Sequence, residues 1–211
     1  MSQSLQQEMA LRIQSGLSRK SITEASRWAC KYRYMGHPYP GIWTFDHHPW
    51  LREMHDSKAE FDVGQKSAQV GFTEWALNVC CHFLDIKRMD ALYVLPTTDD
   101  ASVFSAGRFD KALELSAHMQ SMFSDVKNVK HKRAGSTNMY IRGSNSESGL
   151  KSVPVSLLIL DELDEMNQEN IPLALKRLSG QIERKCLMIS TPTIPDYGIN
   201  FRSEERRVGK E

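Results

Sequence analysis

The chain has 211 residues, with 27 basic against 26 acidic side chains, so its formal net charge is +1 and gives no global pull toward nucleic acid or an anionic membrane. An apolar content of 40% suffices for one ordinary core, yet no apolar run approaches the ~18 residues of a membrane span and no signal-peptide pattern opens the chain. The four cysteines, Cys30, Cys80, Cys81 and Cys186, lack zinc-site spacing, and adjacent Cys80-Cys81 on a helical pattern fits packing in a reducing compartment. In chain order, residues 2–17 form a polar-rich amphipathic helix. Ser21-Ile22-Thr23-Glu24 is a capping box that opens a second helix through about Met35. Gly36 to His48, with Pro38, Pro40 and Gly41, is a loop. Its His47-His48 pair is a polar loop feature rather than a metal site, because i, i+1 neighbours rarely hold one ion together. A strand near 59–65 has Phe61 and Val63 alternating with polar residues. Behind it, Trp75, Ala76, Val79 and Phe83 recur at helical spacing over 73–86. Strand 91–95, helix 99–118, strands 138–142 and 155–160, helix 168–178 and strand 185–190 complete the series. Strands alternating with helices predict an α/β domain whose sheet is mainly parallel, with right-handed crossovers.

Three segments carry chemistry. The first is Leu157-Leu158-Ile159-Leu160-Asp161-Glu162, an apolar run that ends in two adjacent carboxylates. A run of this kind fits a strand buried on both faces, and its carboxyl end is where open α/β sheets bind ligands. In a P-loop NTPase the first acid holds Mg²⁺ and the second orients or deprotonates a water. The second segment, Lys66-Ser67-Ala68-Gln69-Val70-Gly71-Phe72-Thr73, lies between a strand and a helix, as a phosphate-binding loop requires. Gly71 lets the backbone approach phosphates closely, and Thr73 can offer a hydroxyl to Mg²⁺. The segment misses the usual G-x-x-x-x-G-K-[ST] pattern, because Phe72 fills the lysine slot and Lys66 stands at the start of the loop instead. The third segment is the strand Cys186 to Ile189, which ends in Ser190-Thr191-Pro192-Thr193, hydroxyls able to sense a γ-phosphate across the crevice. Each segment alone is also an ordinary strand-ending turn; the order of all three is the informative feature.

On these segments the chain resembles the large terminase subunits of tailed bacteriophages, particularly the lambda-like branch, whose phosphate loop carries an early lysine. The resemblance covers Lys66 to Thr73, Leu157 to Glu162 and the coupling motif Ser190-Thr191-Pro192-Thr193. It extends to Pro49-Trp50-Leu51-Arg52-Glu53 and to Gly143–Ser152, and runs in all from about Trp28 to Phe201. It implies a P-loop NTPase-type three-layer fold with helices on both faces of the sheet, preceded by N-terminal helices. It also implies an ATPase that uses ATP and Mg²⁺ to drive double-stranded viral DNA into a procapsid. Lys66 through Thr73 would bind ATP, Thr73 and Asp161 would hold the metal, and Lys66 and Glu162 would be catalytic. Ser190 and Thr191 would couple the loss of phosphate to motion. The implied partners are DNA, a small terminase subunit, the portal or procapsid and further copies of the chain, in the host cytoplasm and without a membrane. Two departures stand out. Leu51 occupies the neighbourhood of the family's adenine-reading glutamine, and Gln69 stands where some relatives place a loop arginine. An arginine finger would then come from Arg142 or Arg133, or from a neighbouring subunit.

Lys127, Lys130, His131, Lys132 and Arg133 form a local basic run, which is either a solvated loop or a contact for the DNA backbone. The predicted organisation is a helical segment and loop over 1–48, an ATPase core over 49–201 and a tail over 202–211. The tail, Arg202 to Glu211, resembles the translation of a sequencing adapter; with Val208 as its one apolar anchor, it is expected to lack secondary structure. On that expectation the natural reading frame continues differently after about Phe201, and a family nuclease domain would lie beyond that point. Two competing readings are a helicase-like DNA-dependent ATPase and a degenerate P-loop interaction module without turnover.

Overall fold

The structure is a computed structural model that describes Met9, residues 22–123, 128–151 and 153–208, with side chains as far as Ser203. The predicted helix over 2–17 therefore lies outside the described residues, apart from Met9. Helix α1 (Ala25–Tyr32) leads into a two-stranded ribbon, β1 (Tyr34–Met35) and β2 (Gly41–Ile42), and the short helix α2 (Leu51–His55). Then follow β3 (Phe61–Gln65), α3 (Phe72–His82) with a π-helical turn (Phe83–Lys87), and β4 (Ala91–Leu95). Helix α4 (Thr98–Phe104) runs through a second π-helical turn (Ser105–Phe109) into α5 (Asp110–Leu115), and α6 (Ala117–Met122) follows. The remaining elements are β5 (His131–Ala134), β6 (Thr137–Gly143), α7 (Glu147–Lys151), β7 (Leu157–Asp161), α8 (Ile171–Leu175), β8 (Lys185–Ser190) and α9 (Gly198–Val208).

Six strands make one sheet in the order β3-β8-β7-β4-β6-β5, parallel throughout except for the antiparallel β5–β6 edge. The central strands are apolar on both faces because both faces are covered. Tyr93, Ile141, Leu157, Ile159, Leu187 and Ile189 pack on the side of α1, α3 and α4. Leu92, Val94, Leu158, Leu160, Cys186 and Met188 pack on the side of α7, α8 and the start of α9. The strand period of two thus sorts neighbouring residues into two cores, which gives the predicted three-layer architecture.

The differences from the sequence reading have local causes. Helix α1 begins at Ala25, and its N-cap residue Glu24 makes no side-chain cap bond, so the predicted capping box does not open it. Asp56 does that work from a distance: its carboxylate accepts the Ser26 amide at 3.0 Å and the Ser26 hydroxyl at 2.6 Å. The helix predicted over 99–118 is interrupted at Ser116, whose extended backbone separates α5 from α6 and whose hydroxyl accepts the Tyr34 amide at 2.9 Å. The helix predicted over 168–178 is one short α-helix between two 3₁₀ turns. Of the basic run, His131, Lys132 and Arg133 lie on the edge strand β5 rather than in a loop, and Lys130 stands just before it. The tail is helical to Val208, against the expectation that it lacks secondary structure. The helix that carries it starts earlier, at Gly198, where Ile199 is fully buried, and Glu and Arg are favourable helix residues. No described helix is long and apolar enough to cross a membrane.

Candidate functional site

Sheet order explains why segments far apart in the chain meet. Strands β3, β8 and β7 are adjacent and parallel, with Gln65 opposite Ser190 and Ile189 opposite Asp161. Their carboxyl ends therefore deliver Lys66, Ser190 and the Asp161-Glu162 pair to one edge of the sheet. The Lys66 amide extends the ladder by donating to the Ser190 carbonyl at 3.0 Å. Two strand spacings separate β3 from β7, roughly 10 Å, a gap that two long side chains can close. They do so: Lys66 Nζ donates to Glu162 Oε1 at 2.6 Å.

The loop between β3 and α3 bends through two left-handed residues, Gln69 (φ 62°) and Gly71 (φ 84°). A Cβ at Gly71 would lie 3.0 Å from Leu51 Cδ1 and 3.2 Å from His48 Cδ2, so the turn needs glycine for both conformation and space. Phe72, in the usual lysine slot, turns inward. Its ring packs on Trp75 with centroids 5.7 Å apart, and it fills the place that a Cβ at Gly64 would take, 2.8 Å away. The departure from the usual pattern is thus a core contact, and Lys66 brings the cation from the other end of the loop. Ser67, Ala68 and Gln69 are exposed and open to a ligand.

Strand parity turns Asp161 toward the face that α3 covers. It is 2% exposed, and its Oδ2 accepts the Tyr93 hydroxyl at 2.7 Å. Burial raises its carboxyl above the usual range, as does the neighbouring Glu162 charge, while the hydroxyls of Tyr93 and Thr73 and the Lys66 ammonium pull it back down. Thr73 does not close a well-formed bond to Oδ1, which is buried without a partner. A buried carboxylate oxygen left open beside a hydroxyl fits a Mg²⁺ site, since this ion takes one or two protein oxygens and completes its shell with water and phosphate. No cluster of three or more His, Cys, Asp or Glu suited to a metal occurs among the described residues. Glu162 has φ 62° and ψ 52°, a left-handed conformation that few non-glycine residues adopt.

Ser190 is buried, and its hydroxyl accepts the Asp164 amide at 3.0 Å; Thr191 is exposed at the mouth of the site. Three contributors escaped the sequence reading: Tyr93, inside an apolar strand; Asp164; and the pair Arg33 and Arg108, which meet Glu74, the residue after Thr73, at 2.6 and 3.3 Å. Leu51, which stands near the place of the family's adenine-reading glutamine, is fully buried and cannot read a base. The exposed rings beside the loop belong to Tyr39, His47 and Trp50, linked through His48. Of the arginines proposed as fingers, Arg142 is committed to the carbonyls of Lys130 and Ile141. Arg133 pairs with Asn138 at the amino end of β6, three strands from β7, which places it roughly 20 Å from Asp161 by strand geometry and out of reach in cis. The basic run also divides. Lys130 and Arg133 are exposed, Lys127 lies outside the described residues, and Lys132 is 2% exposed, bound to Asp110 at 2.8 Å and set over the Phe109 ring. Lys132 is therefore withdrawn from any DNA-contacting surface.

Residues 38–206 match the family model described as phage terminase large subunit gpA, ATPase domain. Among solved structures, the chain is similar to the large terminase ATPase domain of Thermus phage P74-26, at 18% identity and a TM-score of 0.56, over 71% of this chain and 68% of that one. It is also similar to the large terminase of bacteriophage HK97, at 11% identity and a TM-score of 0.71, over 88% of this chain and 41% of that one. The chain thus spans less than half the length of the HK97 protein. No curated protein matches it.

Proposed function

The chain belongs to the family of the phage terminase large subunit gpA ATPase domain, and from that premise we propose that it is a Mg²⁺-dependent ATPase that drives double-stranded DNA into a procapsid. The observation that carries the reading is the Lys66–Glu162 ion pair across the crevice, with the open oxygen of Asp161 and the Thr73 hydroxyl beneath it. In this reading, the loop amides from Ser67 to Thr73 and the start of α3 cradle the phosphates. Lys66 exchanges Glu162 for the β/γ-phosphate oxygens and neutralises the charge that develops there. Asp161, braced by Tyr93, and Thr73 would hold Mg²⁺, which when bound supplies further charge neutralisation on the phosphates. Glu162, released from Lys66, orients the attacking water. Ser190 and Thr191 sit one strand away, where loss of the γ-phosphate is felt.

For DNA, Lys130 and Arg133 offer backbone contacts that need not read sequence, which suits a translocating motor. A small terminase subunit, a portal and neighbouring copies of the chain are the partners such a motor requires, in the host cytoplasm. The test is phosphate release from ATP with and without DNA. The reading expects Mg²⁺-dependent release, stimulated by duplex DNA of any sequence and progressively lost as salt rises. Stimulation by single strands alone would favour a helicase-like enzyme, and nucleotide binding without release would favour an interaction module.

A further inference from the structure

We propose that Asp164 is the positioning residue that carries the state of the nucleotide site to the coupling segment and α9, an inference that rests on the ATPase reading above. Asp164 lies in the 3₁₀ turn Leu163–Glu165, directly after the catalytic pair, and is 6% exposed. Its Oδ2 accepts both the Thr193 amide and the Thr193 hydroxyl at 2.9 Å, and its Oδ1 accepts the Ile199 amide at 2.8 Å. Its own amide donates to Ser190 Oγ at 3.0 Å. No ion pair to Asp164 occurs among the described residues, so a buried carboxylate is held by donors from the coupling segment and the first turn of α9. The fit is close: a Cβ at Gly198 would lie 2.4 Å from Asp164 Oδ1, and Gly198 is left-handed at φ 53°. A glycine there admits the carboxylate.

These bonds complete a ring around the site. Lys66 is paired with Glu162, whose carbonyl accepts the Glu165 amide at 3.0 Å and so closes the turn holding Asp164. Asp164 grips α9 at Ile199, and α9 returns to β3 through Asn200, whose Oδ1 accepts Gln65 Nε2 at 2.9 Å. Gln65 precedes Lys66. When a nucleotide draws Lys66 away from Glu162, the ring opens at that one link. The left-handed backbone of Glu162 then relaxes, and Asp164 carries the turn's shift to Thr193 and α9. A short chain of hydrogen bonds with two arrangements is the physical basis for such coupling.

Hydrogen exchange measured on the full chain, with and without a non-hydrolysable ATP analogue and Mg²⁺, tests the proposal. In the wild type, the analogue should change exchange over residues 191–203. In Asp164→Asn, analogue affinity should stay within about threefold and KM should hold. The exchange change should shrink at least ~5-fold, with kcat falling in parallel, because an amide cannot accept at both of its ends. Thr193→Val, which removes one hydroxyl and leaves the carboxylate bonded to two amides, guards against a misfolded Asp164→Asn and should roughly halve the change. An unchanged response in Thr193→Val, or in a folded Asp164→Asn, overturns the proposal. A wild type that binds the analogue without any change over 191–203 also overturns it while leaving the ATPase reading intact. A wild type that binds no analogue removes both.

Discussion

If Glu162 orients the attacking water, Glu162→Gln should separate binding from chemistry at this site. The residue removed is one half of a 2.6 Å ion pair whose lysine is 9% exposed and whose glutamate is 36% exposed. An unscreened pair at that distance would be worth several kcal/mol, but with more than a third of the glutamate in water the net value falls to ~0.5–1 kcal/mol. Lys66 must give up this pair to reach a phosphate, so freeing it should tighten ATP binding by roughly 2- to 5-fold. Turnover should move the other way. Loss of the group that orients the water costs typically ~10²–10⁴ in rate, and glutamine keeps the size while losing the basicity. Fluorescent-nucleotide titration gives the affinity, and single-turnover phosphate release gives the rate. Binding weakened more than about tenfold would show that Glu162 has a ground-state role, and a rate within about threefold of wild type would remove it from the chemistry.

Placing lysine back in its usual slot should fail. Phe72→Lys in a Lys66→Ala background points the new ammonium at Gly64 and Trp75, so it should lower stability by ~1–3 kcal/mol in denaturant titrations without restoring nucleotide binding; full restoration would show that the slot can face the phosphates. Lys130→Ala should weaken duplex DNA binding severalfold and flatten its salt dependence at unchanged stability, whereas Lys132→Ala should lower stability by ~1–2 kcal/mol and leave DNA affinity alone. The converse pattern would restore the original basic patch. Burial pushes the His55 imidazole down to about 4, while in the unfolded chain it titrates near 6.5. Below that pH the unfolded state takes up the proton first, so stability is intact above about 6.5 and falls toward 4, by about 2 kcal/mol from this residue at pH 5. Urea titrations at pH 7 and 5 should show this loss, and His55→Gln should blunt it; a pH-independent midpoint would mean that the ring takes up its proton as readily in the fold as in the unfolded chain.

Much of the architecture is legible because strands buried on both faces leave continuous apolar runs, as at Ala91–Leu95 and from Cys186 to Ile189. The site is legible for a related reason: its polar residues stand where those runs stop. β5 is hidden because its inward positions are Lys132 and Ala134, and an ion pair to Asp110 replaces the apolar signal on which the periodicity relies. The break at Ser116 depends on a bond to Tyr34, far away in sequence, which no local pattern reveals. Tyr93 looks like one more core residue until its hydroxyl is seen on Asp161. Asp164 is silent for a different reason. Two of its three donors are backbone amides, and sequence carries no mark of which amides a carboxylate will meet.

If Lys66 supplies the charge that Phe72 leaves out of the usual slot, equilibrium titration of Mg²⁺·ATP into the wild-type chain and three lysine variants will show it. The wild type should bind saturably and lose affinity when EDTA removes the metal. Lys66→Ala should weaken binding by at least ~30-fold, the scale of a buried charge-assisted contact to phosphate. Lys58→Ala and Lys151→Ala should remain near wild type, since Lys58 is exposed and Lys151 pairs with Glu147 on the surface. Equal losses from all three variants, or no saturable binding by the wild type at millimolar ATP, would mean that Lys66 has no such role.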